Sequence, residues 1–178
     1  MTATTAVGIL ASACSSAPNS GVLKTPSTCA IVPASRVTSI LGSQVRTMNG
    51  DQARASTNPR FLSDCYYLLP PPKGNHSLFV VEIELARSTA FSSGLIKTIA
   101  KDTSVTGGSL HEIDGTIAAW NPHPVDAGGG GRLTAIRKGA TVFVTVTDEV
   151  TSDPLQSAIS VMGYSFSRLD AGVRVPTM

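Results

Sequence analysis

The sequence predicts an α+β fold, in which an antiparallel sheet of about five to seven strands packs against two to three helices. Apolar residues alternate along several short segments, as they do in strands with one buried face. Two pairs of these segments flank tight turns, at Asp114-Gly115 and at Lys138-Gly139, and strands joined by such turns lie antiparallel. Other segments carry apolar residues at helical spacing, and such helices must bury their apolar stripes against the sheet.

Three segments of the chain are predicted to be helices. Pro33–Gly42 opens with a proline, which suits the first helical position, and closes with a glycine that can adopt the left-handed conformation. A second helix is expected from about Thr89 to Lys101, with Ser88 as its cap. The last helix is expected from about Pro154 to Leu169, with Asp153 as its cap.

The strands are predicted from runs of β-branched and aromatic residues that turn residues bound on both sides. Glu82 and Glu84 alternate with apolar residues in one such run, so the second face of the sheet is expected to be at least partly wet. The polar segment Thr47–Pro59 is predicted to be a loop. The predicted strands are Cys65–Leu69, Leu78–Leu85, Leu110–Ile113, Thr116–Trp120, Leu133–Arg137 and Thr141–Thr147.

Length, charge and hydropathy exclude several classes of protein. The 178 residues fit one domain with a tail. Fourteen basic and twelve acidic side chains leave a net charge of +2 without a basic run, so no nucleic-acid partner is expected. No run of about 18 apolar residues is present, so no transmembrane helix is expected.

Cys14 closes a short apolar stretch that ends in small residues, and this region resembles the end of a bacterial lipobox. In a lipobox the cysteine becomes the lipid-modified N-terminus. A leucine usually lies three residues before that cysteine, and here Ala11 occupies this position. No basic residue precedes the stretch, so one interpretation is that a leader has been truncated. The alternative is a polar N-terminus with an unmodified Cys14. We therefore expect a leader at 1–13, a lipidated linker at 14–27, one domain at 28–170 and a tail at 171–178.

Cys29 and Cys65 are expected to form a disulfide, because paired thiols persist in that form in exported proteins. The bond would close a loop of about 37 residues, for which chain entropy gives about 3.5–4 kcal/mol of stabilisation. The alternative is two buried free thiols in a cytosolic domain. No C-x-x-C pair exists and no histidine lies at ligand spacing, so no metal site is expected.

These features resemble a mycobacterial-type secreted lipoprotein domain of unknown function, of the actinobacterial envelope lipoprotein family. The resemblance covers about Thr28 to Leu169. It implies an envelope location and a disulfide between Cys29 and Cys65, and it implies no activity. The residues that carry it are Cys29, Ile31–Ala34, Leu41-Gly42, Cys65–Tyr67, Leu78–Val81, Gly139–Val144 and the last helix.

No catalytic residues are predicted. The sequence has no G-x-S-x-G motif, and no Gly-Lys-Ser or Gly-Lys-Thr follows the glycines at 128–131. Trp120 and His123 lie in a Pro-rich segment at the end of a strand, and they are the candidates for ligand or partner binding. The alternative for Trp120 is that its ring fills the core where the sheet meets a helix. All three histidines, His123 among them, are interpreted as surface residues.

The sequence therefore predicts a cell-envelope lipoprotein that acts as a non-enzymatic binding or accessory domain, without a cofactor. It is expected at the extracytoplasmic face of the membrane through lipid on Cys14, or secreted. A lipid, a glycan or an envelope protein is the expected partner. Two alternatives remain open. One is an envelope hydrolase with an unrecognised Ser/His site, and the other is a structural partner of a transport or signalling complex.

Overall fold

A computed structural model describes residues 27–49, 61–70, 79–87, 94, 96–98, 101, 107–123, 129–149 and 151–173. Within these residues, one sheet of seven antiparallel strands packs against helices, so the predicted α+β class is confirmed. The helices are α1 Thr28–Ile31, α2 Ala34–Leu41 and α3 Pro154–Asp170. The strands are β1 Arg46–Asn49, β2 Phe61–Leu68, β3 Phe79–Arg87, β4 Ser109–Ile113, β5 Thr116–Pro122, β6 Gly131–Arg137 and β7 Ala140–Val146.

The sheet has the order β1-β2-β3-β7-β6-β5-β4, so the last strand of the chain lies in the centre and β1 and β4 lie at the edges. Both predicted hairpins are confirmed. Asp114 and Gly115 have φ values of 48° and 74°, and Lys138 and Gly139 have φ values of 50° and 75°. Positive φ at both central residues is the conformation whose twist matches that of antiparallel strands.

The helices cover one face of the sheet. Strand register places Ile83 of β3 opposite Val144 of β7, and Leu133 of β6 is also opposite Val144, so the three side chains share that face. They belong to a single core cluster with residues of α3, among them Val161 and Phe166. β7 is buried along its whole length, which explains why its sequence is apolar or threonine throughout.

Tyr67 connects the sheet to the N-terminal helices. Its hydroxyl donates a hydrogen bond of 2.5 Å to the carbonyl oxygen of Val32, which follows α1. Burial raises the pKa of Tyr67 well above its usual range, so the hydroxyl keeps its proton and remains a donor.

Arg137 connects three elements at the end of β6. Its guanidinium forms two hydrogen bonds to the carboxylate of Asp170, the last residue of α3. It also donates to the carbonyl oxygen of Asp114 and to Oγ1 of Thr116, each at 2.7 Å. The guanidinium carbon lies 5.3 Å from the centre of the Phe166 ring. The β4–β5 turn and the end of α3 are therefore held by one side chain.

Several element boundaries differ from the prediction, and the short helix α1 was not predicted. The loop predicted over Thr47–Pro59 is wrong at its start, because β1 pairs with β2. Side chains 46–48 of this edge strand are all exposed. The strand therefore lacks the alternation of buried and exposed positions by which strands are predicted. The strand predicted at Cys65–Leu69 begins earlier, at Phe61, and Pro33 is the N-cap of α2 instead of its first residue. The predicted helix at 89–101 is helical at its described residues, 94, 96–98 and 101, and otherwise lies outside them.

Candidate functional site

Two exposed apolar side chains lie side by side at the β4 end of the sheet. Leu110 of β4 is 51% exposed and Ile117 of β5 is 48% exposed. The register pairs Leu110 with Ala119 and Glu112 with Ile117, so Leu110 and Ile117 are diagonal neighbours on one face. Neighbouring residues such as Ile113 and Ala118 belong to the core on the opposite, helix-covered face. We call Leu110 and Ile117 the apolar pair.

A serine and a histidine are hydrogen bonded on the same edge strand. Oγ of Ser109 lies 2.7 Å from Nε2 of His111, and both residues are half-buried. Two residues apart in a strand, they point to the same side of the sheet, the helix-covered side. A serine hydroxyl within hydrogen-bonding distance of a histidine ring nitrogen is the arrangement of a nucleophile with its base. No hydrogen bond to the other ring nitrogen of His111 is found within the described part of the chain.

Trp120 and His123, the predicted binding residues, are both described. Trp120 is 6% exposed and belongs to the hydrophobic core. A β-carbon added at Gly131 would lie 2.4 Å from Cζ2 of Trp120, so the ring occupies space that a side chain at Gly131 would fill. This placement corresponds to the core-filling alternative. His123 is half-buried, and its backbone N–H donates to the carbonyl oxygen of Gly130 at 3.0 Å. The binding role of the two side chains stays a prediction.

A charged cluster spans the opposite face of the sheet from the helices. Arg132 of β6 reaches across β7 and donates from Nη2 to Oε1 of Glu84 on β3, at 2.6 Å. Its guanidinium carbon lies 4.3 Å from the centre of the Phe143 ring, so the arginine rests on the aromatic ring between the two strands. Asp64 of β2 lies opposite Glu84, which places a second carboxylate beside the pair.

The expectation that this face of the sheet is at least partly wet is wrong at Glu84. Its side chain is only 9% exposed, whereas that of Arg132 is 34% exposed. The pKa of Glu84 is raised, and burial is the largest cause. The negative charges of Glu82 and Asp64 raise this pKa further. Arg132 opposes these effects through its charge and its hydrogen bond. The prediction failed because a glutamate in an alternating strand is exposed unless a distant partner covers it, and Arg132 is 48 residues away.

The predicted disulfide is confirmed. Cys29 of α1 and Cys65 of β2 are bonded, with their α-carbons 5.1 Å apart. Cys65 is fully buried, and Cys29 packs against the core. Cys14, the predicted lipidation site, lies outside the described residues.

The described residues contain neither a metal-binding cluster nor a membrane-spanning helix. Across the described ranges, no group of three or more His, Cys, Asp or Glu side chains has the geometry to hold a metal ion. None of the described helices has both the length and the apolar character that crossing a membrane requires.

No family model, curated protein or solved structure matches this chain. The roles of the apolar pair, the Ser109–His111 pair and the charged cluster are therefore inferred from their own geometry. Sequence analysis identified none of the three. The sequence did contain a usable signal for the apolar pair. Side chains alternate between the two faces of a strand, so Leu110 and Ile117 must lie on the face opposite to Ile113 and Ala118.

Proposed function

We propose that this chain is a non-enzymatic binding domain of the cell envelope, held at the extracytoplasmic face of the membrane by lipid on Cys14. Its binding surface is the apolar pair, and its partner is a protein. The domain carries no cofactor. The observation that supports the binding role most directly is the exposure of Leu110 and Ile117 side by side at a sheet edge.

The disulfide supports an extracytoplasmic location. Disulfides persist in oxidising compartments and are rare in the cytosol. The Cys29–Cys65 bond has an α-carbon separation within the range of ordinary disulfides, so the two thiols need no backbone movement to pair. It joins α1, near the start of the described chain, to the sheet. Cys29 is 15 residues after Cys14 in the sequence, so the proposed lipid would lie close along the chain to the disulfide.

The character of the apolar pair supports a protein partner over a small ligand. Small ligands bind in concave pockets that bury most of their surface. Leu110 and Ile117 instead project about half-exposed from neighbouring strands of an antiparallel hairpin. Apolar side chains exposed next to each other on such a surface suit a protein partner better than a small ligand.

Intact mass spectrometry of the native protein tests the anchor. We expect a chain that begins at Cys14, carries lipid and retains the Cys29–Cys65 bond, recovered from the membrane fraction. The matched control is Cys14→Ser, which we expect in the soluble extracytoplasmic fraction. An unmodified Cys14 within a retained N-terminus would contradict the proposed anchor.

Site-specific photocrosslinking in intact envelopes tests the binding surface. A benzophenone amino acid at Ile117 is expected to give covalent adducts with protein. The control position is Ser167, which is exposed on α3, on the helix side of the sheet. Equal adducts from both positions, or none from Ile117, would contradict binding through the apolar pair.

A second candidate function is hydrolysis, which the 2.7 Å contact between Ser109 and His111 favours. In such a reaction Oγ of Ser109 would attack an ester carbonyl, His111 would take the hydroxyl proton, and the alcohol would leave with that proton. Water would then release the acid from the serine. The substrate p-nitrophenyl butyrate tests this reaction. Hydrolysis that is abolished by Ser109→Ala and by His111→Gln, and unchanged by Ser167→Ala, would support the hydrolase function. Equal background rates in all four proteins would contradict it.

A further inference from the structure

The outer edge of β4 has backbone hydrogen-bonding groups that pair with no other strand of the described sheet. Within the described sheet, β4 is terminal and pairs only with β5. Its hairpin has a two-residue turn, so Ile113 and Thr116 form a hydrogen-bonded pair beside it. Pairs alternate along an antiparallel ladder, so Leu110 and Glu112 belong to non-hydrogen-bonded pairs. Their N–H and C=O groups therefore point away from β5, outward from the sheet.

The side chains on this edge leave it open to pairing. Natural proteins block edge strands with charged side chains, lysine above all, and with proline, bulges or very short strands. β4 contains neither lysine nor proline, its register with β5 is regular, and its one carboxylate is that of Glu112. The opposite edge strand, β1, has four residues against five in β4, and it carries a basic side chain, Arg46. Leu110 is half-exposed on β4 itself, so the open edge and the apolar pair form one surface.

We infer that the partner of this surface is a second copy of the same chain, which pairs its β4 antiparallel to this β4. The two sheets then form one continuous sheet about a two-fold axis at Leu110. Leu110 of one copy lies opposite Leu110 of the other. Gly108 of each copy lies opposite Glu112 of the other copy. This register uses every outward-pointing group of the edge and forms about six backbone hydrogen bonds.

Charge and polarity select this register over its neighbours. A two-fold axis at Glu112 would place two carboxylates directly opposite each other, which is destabilising. An axis at His111 would place Leu110 opposite Glu112 and would form about four hydrogen bonds. With the axis at Leu110, Ser109 lies opposite a histidine, His111, and the two apolar pairs become one apolar row across the seam. Because two-fold pairing is self-complementary, the assembly closes as a dimer.

Sedimentation of the full chain tests the dimer. The inference rests on the proposed binding surface, and Cys14→Ser is used as the background so that neither lipid nor a free thiol contributes. The contact is small, so we expect a dimer with a dissociation constant of about 10–100 μM. Leu110→Lys is expected to weaken it by at least about tenfold. The matched control is Met48→Lys at the other edge strand, where methionine is also 51% exposed, and it is expected to leave dimerisation unchanged.

Engineered cysteines test the register. In the same background, Leu110→Cys places its sulfur opposite its own copy, at an α-carbon distance of about 5.5 Å that permits a disulfide. Glu112→Cys is the control, because its own copy lies about 13 Å further along the seam. We expect rapid oxidative crosslinking of the first variant only. A monomer at all concentrations, or a dimer that Leu110→Lys does not weaken, would overturn the homodimer. Adducts of Ile117 with a different envelope protein would then show that the binding surface serves another partner.

Discussion

Glu84 is the residue whose surroundings differ most from those its sequence position suggests. A carboxylate that loses water is stabilised only by what replaces the water. Here that is one hydrogen bond from Arg132, whose other side faces Phe143. Asp64 and Glu82 lie on the neighbouring positions of the same face and repel the charge. The ion pair therefore offsets the cost of burying Glu84 only in part, which is why its pKa is raised.

Replacement of Glu84 by glutamine is expected to change how stability depends on pH. A raised pKa in the folded state means that folding favours the protonated carboxyl. The resulting stabilisation is present below the unfolded pKa of about 4.3 and is lost as the pH rises through the folded pKa. Glutamine stays neutral throughout, so Glu84→Gln should gain stability relative to the natural protein as the pH rises from about 4 to 8. Urea unfolding of both proteins across this range measures the difference.

Glu112→Gln is the matched control for the loss of one negative charge, because Glu112 is exposed on β4. A difference in unfolding free energy between Glu84→Gln and the natural protein that stays constant with pH would contradict the role of burial at Glu84. A free-energy difference that falls as the pH rises would contradict the sign of its pKa shift.

At the scale of elements, sequence analysis succeeded where local chemistry decides structure. The turns at Asp114-Gly115 and Lys138-Gly139 fix both hairpins, because few residues tolerate positive φ. The cap of α3 was equally local, since Asp153 accepts a hydrogen bond from the backbone N–H of Gln156 at 2.9 Å. β1 was missed, because an exposed edge strand is specified by its pairing with β2 and not by its own pattern.

Arg137 is expected to control the stability of two elements at once. Arg137→Ala removes the hydrogen bonds to Asp170, Asp114 and Thr116, so the end of α3 and the β4–β5 turn should open more readily. Hydrogen exchange should accelerate at residues 168–173 and 113–116 together, and the melting temperature should fall. Arg137→Lys keeps the charge but cannot make the forked contact, so it should restore only part of the protection.

The matched control for Arg137 is Arg36→Ala. Arg36 also lies over an aromatic ring, that of Tyr164, at 5.2 Å, but it belongs to α2. The Arg36→Ala substitution should leave hydrogen exchange at the β4–β5 turn unchanged. Acceleration at only one of the two elements in Arg137→Ala would contradict the view that one side chain holds both.

At the scale of the whole molecule, the fold class and the disulfide were predictable, and the candidate sites were not. Fold class follows from patterns repeated along many residues, so single errors such as β1 do not change it. The Glu84–Arg132 pair joins residues 48 positions apart across an intervening strand, and its geometry depends on the strand order. That order places β7 between β3 and β6, and no local pattern encodes it. Trp120 shows the same limit, because its burial depends on Gly131 of the neighbouring strand.

The disulfide is expected to supply a large part of the stability of the domain. Cys29 and Cys65 are separated by 36 positions in sequence, and the bond joins α1 to the second strand of the sheet. Because the bond restricts the unfolded chain, Cys29→Ala with Cys65→Ala should lower the free energy of unfolding by about 4 kcal/mol. That loss is a large fraction of the roughly 5–15 kcal/mol typical of domains. Alanine is preferred to serine, since a hydroxyl at buried position 65 would add an unrelated cost.

Urea unfolding in the Cys14→Ser background measures this loss, and the reduced parent protein provides an independent comparison with unchanged sequence. Both should lose similar free energy. Both should also exchange amide hydrogens faster in α1, because the disulfide joins α1 directly to β2. Tyr67→Phe keeps the disulfide and removes only the hydrogen bond from Tyr67 to Val32, so its loss should be about 1 kcal/mol. A double-alanine variant no less stable than Tyr67→Phe would show that the sheet and helices hold the fold without the covalent link.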